Sequence, residues 1–197
     1  MPRKNRGYKK NEPFSDASLF VIVAEGEQED DYFRYFQNKS SRVRVKVVQR
    51  DGGKSSPKHF LERVEQFKEE ESWVPSAGDS FWFVLDVDRW NRSHITDHIK
   101  GCNQNEHMNI AISNPCFEVW LLYHFLTYFQ DNSWQKLKRQ LHEVVSGGYS
   151  REKCTLLYKT ACENSRNSDT GPNNPIPART QTKVYLLMEE LMKKLDI

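Results

Sequence analysis

Three carboxylates stand where two apolar runs stop. Glu25-Gly26 closes the run Leu19-Phe20-Val21-Ile22-Val23-Ala24, and Asp86-Val87-Asp88 closes Phe81-Trp82-Phe83-Val84-Leu85. Acids two apart on an extended backbone project to the same side, so Asp86 and Asp88 can share one metal ion or hold two neighbouring ones. An oxygen-only donor set suits a hard cation, Mg²⁺ or Mn²⁺, over zinc. Glu25 directly follows six apolar residues and precedes a glycine, which permits close backbone approach or a positive φ. Glu29, Asp30 and Asp31 fall in the first turns of the next helix, where the helix dipole favours acids and no further role is needed.

A fourth acid sits in Ser113-Asn114-Pro115-Cys116-Phe117-Glu118. Ser113 or Asn114 reads as a helix cap and Pro115 as the first helical residue. Glu118 is not explained by capping, because the helix expected from Pro115 to Phe129 is almost wholly apolar and a carboxylate buried there unpaired is costly. It is either exposed at the helix N-terminus or turned toward a cation.

Strands must position these acids. Ser18–Ala24 and Ser80–Asp86 are continuous apolar runs, as in strands covered on both faces, while 42–48 alternates Val43, Val45 and Val47 with Arg42, Arg44 and Lys46. Met108–Ile112 is a fourth strand. Helical spacing appears at 28–38 (Tyr32, Phe33, Phe36), from Pro57 (Phe60, Leu61, Val64, Phe67) and at 93–102. Strands separated by helices mean parallel pairing and a layered α/β domain. In such sheets ligands lie beyond the carboxyl ends of the strands, where Glu25, Asp86 and Asp88 fall. From 131 the pattern is helical only: 134–145, 151–163 and 182–195, with a polar loop at 164–177. The expected organisation is a basic arm over 1–17, an α/β core over 18–130 with a four-stranded parallel sheet, and a helical extension over 131–197 packed on that core.

The 197 residues are 37% hydrophobic with a net charge of +2. No apolar stretch approaches the roughly 18 residues of a membrane span, and none of signal-peptide length follows the basic start, so cytoplasmic residence and no membrane association are expected. Arg3, Lys4, Arg6, Lys9 and Lys10 form an arm able to lie along phosphates or merely to aid solubility. Cys102, Cys116, Cys154 and Cys162 lack zinc-ligand spacing and read as buried free thiols. His94 and His98 have helical (i, i+4) spacing but no third ligand, and His124 reads as a core or surface histidine. Gly52-Gly53-Lys54-Ser55 lacks the spacing of a phosphate-binding loop. Arg179, Thr180, Thr182 and Lys183 before the last helix read as a phosphate contact or as an ordinary capped start.

The segments VIVAEGEQEDDYF, FVLDVDRW, IAISNPCFEVWLLYHF and TQTKVYLLMEEL together resemble the RloB family, small bacterial proteins with a Toprim-like core. The resemblance runs from residue 19 to 195, with SNPCFEVWLL its most specific element. Toprim domains of primases, topoisomerases and overcoming-lysogenization-defect nucleases carry Glu-Gly after the first strand and Asp-x-Asp after the third. The resemblance therefore implies a catalytic or metal-bound Glu25, metal-bound Asp86 and Asp88, and, more loosely, Glu118 as a further acidic ligand. It also implies antiphage nuclease work beside a separate ATPase partner. Lys54, Arg89 and Lys183 are then candidates to neutralise a nucleic-acid backbone.

The function expected is Mg²⁺- or Mn²⁺-dependent phosphodiester cleavage of DNA or RNA, tRNA included. Two other classes stay open. One is a non-catalytic nucleic-acid or partner-binding module. The other is a receiver-like phosphoacceptor with Ser113 as its hydroxyl, against which stands the missing fifth strand with its lysine.

Overall fold

The computed structural model describes residues 17–48, 58–74, 76–88, 90–130 and 133–197. Lys54, Arg89 and the arm before Ala17 lie outside the described residues.

The described chain begins with β1 (Ser18–Ala24), α1 (Glu27–Arg34), β2 (Val43–Val47), α2 (Lys58–Glu70), β3 (Ser80–Asp86), α3 (Arg92–Asn103) and β4 (Met108–Asn114). Then come α4 (Glu118–Tyr123), α5 (Trp134–Val144), α6 (Arg151–Leu156), α7 (Tyr158–Ser168), β5 (Gln181–Thr182) and α8 (Val184–Leu195). The strands form one sheet in the order β2-β1-β3-β4-β5, parallel except for the β4–β5 pair. Strand order reverses between β1 and β3, where a crevice opens at the carboxyl ends of an open α/β sheet. Glu25 directly follows β1 and Asp86 ends β3.

Both faces of the sheet are covered, as continuous apolar strands require. Phe20, Ile22, Ala24, Trp82 and Val84 pack with residues of α1, α4, α5, α7 and α8. Leu19, Val21, Val23, Phe81, Phe83 and Leu85 face α2 and α3 through Phe60, Val64, Ile95 and Ile99. The period-two alternation thus sends successive residues of one strand into opposite cores. Cys102, Cys116 and Cys154 are buried free thiols and Cys162 is partly buried, also free.

The sheet has five strands where four were expected. The fifth is only Gln181–Thr182, too short for a periodic signal, and pairs antiparallel with Asn114 and Ser113. Lys183 N–H adds a bond to Ile112 O at 2.8 Å, and Thr180 N–H one to Asn114 O at 2.8 Å. This pairing also corrects the reading of Ser113-Asn114-Pro115 as a capped helix start. Ser113 and Asn114 belong to β4, the Asn114–Pro115 peptide is cis, and α4 begins at Glu118 after Phe117.

That helix is also shorter than its apolar length suggests. His124 Nδ1 lies 3.0 Å from Trp120 O, and Asn164 Nδ2 donates to Tyr123 O at 2.8 Å and Leu126 O at 3.3 Å. Side chains thus satisfy carbonyls that a further turn would have used. The helix expected over 151–163 is two helices meeting at Leu157, where Thr155 Oγ1 donates to Arg151 O.

Candidate metal centre

Glu25 and Asp86 are buried to 1% and 4% exposure at adjoining strand ends. Glu25 Oε1 accepts the Asp86 backbone N–H at 3.2 Å and the Trp90 indole N–H at 2.5 Å. The Asp86-x-Asp88 turn is tied to the end of β4 and the residue after it, with Val87 N–H donating to Ser113 O and Asp88 N–H to Pro115 O, each at 3.0 Å. Arg63, from α2, donates to Ala24 O at 3.0 Å and Val48 O at 2.5 Å, joining the ends of β1 and β2 beside Glu25.

Several acids act on Asp86 through their charge. Burial first, and then the charges of Glu29, Glu25, Glu118 and Asp88, push the Asp86 carboxyl well above its ordinary 3.8. The other three acids expected from the sequence, Glu25, Asp88 and Glu118, are therefore within electrostatic reach of Asp86, together with Glu29. Asp88 is exposed and Glu118 half-buried. Burial first, and then the Glu118 carboxylate, push the Cys116 thiol well above its ordinary 9.0.

The helix dipole is sufficient reason for an acid at Glu29, but the structure gives it more to do. It is 6% exposed, and a Cβ built on Gly26 would meet Glu29 Oε2 at 2.1 Å. Gly26 has φ −121°, so its role is the close approach of that carboxylate and not a left-handed turn. The usable signal was Glu25-Gly26-x-x-Glu29, an acid one turn beyond the glycine. Trp90 and Cys116 carried no signal at all, since either reads as an ordinary apolar residue. Asp31 is structural: Tyr149 and Arg151 donate to it at 3.0 and 2.9 Å, joining α1 to the start of α6.

The donor chemistry fits a hard divalent cation. Asp86 Oδ1 is buried without a hydrogen-bond partner, a costly state that a cation would relieve. The carboxylates gather around Asp86 without closing into a shell. Among the described residues, no three His, Cys, Asp or Glu side chains already stand in coordination geometry.

The sequence model of RloB-like proteins matches residues 20–191. This chain belongs to the RloB-like protein family. No curated protein and no solved structure matches it.

The other candidates of this RloB-like chain fall elsewhere. Lys183 is corrected as a nucleic-acid contact: it is 1% exposed, ion-paired with Asp169, and donates to Gly171 O at 2.8 Å. Asp169 also accepts from Tyr185 at 2.7 Å. Burial would raise the Asp169 pKa, but the Lys183, Tyr185 and Gly171 hydrogen bonds outweigh it and hold the carboxyl low. Thr182 Oγ1 accepts the Val184 N–H at 3.1 Å and lies 2.8 Å from Ser113 Oγ, so its hydroxyl is engaged at the start of α8 and does not face a phosphate site. His94 is exposed, while His98 is buried edge-on between the Phe60 and Phe83 rings. His124 is a core histidine, its Nε2 accepting from Tyr32 at 3.0 Å. Among the described residues no helix is long and apolar enough to cross a membrane.

Proposed function

We propose that this RloB-like protein is a metal-dependent nuclease with a Toprim-type site, cleaving phosphodiester bonds of DNA or RNA in antiphage defence. The observation that carries the reading is Asp86, buried at the switch point of a parallel sheet with an unpartnered oxygen and four carboxylates around it. Without a cation such a cluster repels itself, and a cluster of this kind is what functional sites retain at a cost in stability.

Glu25, Asp86, Asp88 and Glu118, with Glu29, would hold one or two Mg²⁺ or Mn²⁺ ions. A bound ion of this class polarises the scissile phosphate, stabilises the leaving oxygen and lowers the pKa of an attacking water. The chain's own residues supply the rest. Trp90 and the Asp86 amide fix one Glu25 oxygen and aim the other. Asp86 must release its proton for the site to fill, so filling strengthens as pH rises. Asp88, exposed at the rim, is the acid a substrate meets first. A separate ATPase is the partner that the family resemblance implies.

The hydroxyl and the lysine that the receiver-like alternative needs are present but engaged elsewhere. Ser113 is buried against Thr182, and the lysine after β5 is committed to Asp169. The experiment that tests the nuclease reading is incubation of purified protein with plasmid DNA, single-stranded DNA and tRNA in Mg²⁺ and Mn²⁺. Cleavage lost in Glu25→Gln and Asp86→Asn, both still folded, is expected. Binding without turnover in every metal would instead make the protein a non-catalytic nucleic-acid module.

A further inference from the structure

Beside the acids a cavity of ≈ 450 Å³ opens between Val87, Trp90, the start of α3 and the segment 170–178. Its size lies within the range of about 300–1,000 Å³ found for small-ligand pockets. A cavity of ≈ 400 Å³ beside β2, lined by Val43–Lys46, lies at the opposite edge of the sheet and has no such neighbour. Trp90 belongs to both features, since its ring lines the cavity while its N–H holds Glu25. A group seated here is one side chain away from the acid cluster.

The outer wall is fixed. Lys183 is bonded to Asp169 and to Gly171 O, and the Gln181 side chain bonds Ser168 O at 2.6 Å and the Thr170 N–H at 3.3 Å. The buried lysine thus braces the wall. Ile95, Ile176 and Pro177 present apolar surface. Asn114 Nδ2 donates to Pro177 O at 2.9 Å, leaving its Oδ1 as an acceptor, and Asn174 Oδ1 accepts from Ile176 N–H at 3.1 Å, leaving its NH₂ as a donor. The Arg92 guanidinium is exposed at the lining and in no ion pair with the described residues. An aromatic ring, apolar walls, one free amide acceptor, one free amide donor and a cation match an unpaired base with its phosphate.

We propose that this cavity receives an unstacked nucleobase of single-stranded DNA or RNA and so sets an adjoining phosphodiester against the acids. It rests on the nuclease reading and adds to it a substrate class. A base held in duplex stacking cannot enter, so unpaired strands, loops or ends are the targets.

The test is fluorescence anisotropy in Ca²⁺ with labelled oligo(dT), oligo(U), their duplexes, and an abasic strand of equal length and charge. Wild type should bind the base-bearing single strands about tenfold more tightly than the abasic one. Ala178→Trp, which fills the cavity from its exposed side, should erase that difference without altering abasic binding, and Asn174→Asp, which removes the free donor, should reduce it. Equal binding of abasic and base-bearing strands by wild type, or an unchanged preference in both folded variants, overturns the proposal. Cleavage in Mg²⁺ with no base preference overturns the cavity alone, whereas base-dependent binding with no cleavage in any metal keeps the cavity and overturns the nuclease reading.

Discussion

The Trp90 indole N–H and the Asp86 backbone N–H converge on one oxygen of Glu25, at 2.5 and 3.2 Å. Two donors from different segments thereby hold the orientation of this carboxylate. Partners that orient a ligand are worth roughly 10- to 100-fold in metal affinity. Trp90→Phe keeps the ring and removes the donor. It should weaken Mn²⁺ binding by about tenfold in calorimetric titration, with little change in melting temperature.

Gly26 leaves room for the Glu29 carboxylate. In Gly26→Ala the new Cβ would stand 2.1 Å from Glu29 Oε2, so the side chain must swing away, while the backbone at φ −121° tolerates alanine. The variant should fold, lose less than about 1 kcal/mol in denaturant unfolding, and show the same order-of-magnitude loss of cleavage as Glu29→Gln. A fully active Glu29→Gln protein would remove Glu29 from the site.

Asp86 makes the metal-free protein sensitive to rising pH. Its carboxyl titrates well above 3.8 because of burial and the acids around it, so the folded state binds a proton that the unfolded chain has released. The stability it contributes is complete below the ordinary aspartate range and is lost as pH rises through the folded value. In chelator at neutral pH, Asp86→Asn should therefore melt higher than wild type. Added Mg²⁺ should raise the wild-type melting temperature and leave the variant's nearly unchanged.

His124 acts in the opposite sense. Burial depresses its pKa from 6.5 to about 4, against the pull of the Trp120 and Leu121 carbonyls. Its stabilisation is present above the unfolded value and is lost as pH falls from 6.5 through about 4, amounting to ~3 kcal/mol over that window. Urea unfolding of wild type should show this loss, and His124→Asn should flatten it.

Lys183→Met leaves Asp169 buried beside an uncharged chain. Breaking a buried pair from one side costs about 3–5 kcal/mol, so the variant should unfold at much lower urea. A lysine that contacted nucleic acid from the surface would instead change affinity and spare stability.

Glu25 and Asp86 could be placed from sequence because unbroken apolar runs locate buried strands and their ends. Glu29 was hidden by a sufficient simpler cause, since an acid in a first helical turn needs no other explanation. Ser113-Asn114-Pro115 fits a helix start as well as a strand end, and only the pairing of Asn114 with Gln181 decides between them. Lys183 looked like a surface cation because its partner, Asp169, lies 14 residues back across a polar loop. Periodicity sees helices and long strands; it cannot see a two-residue strand or which side chains meet across a fold.

The central claim is that these acids hold a divalent ion, and crystals grown in Mn²⁺ test it most directly by anomalous diffraction. The account predicts a peak bounded by Glu25, Asp86 and at least one of Asp88, Glu29 and Glu118, absent from crystals of Asp86→Asn. A well-ordered site with no anomalous peak at saturating Mn²⁺ would contradict it.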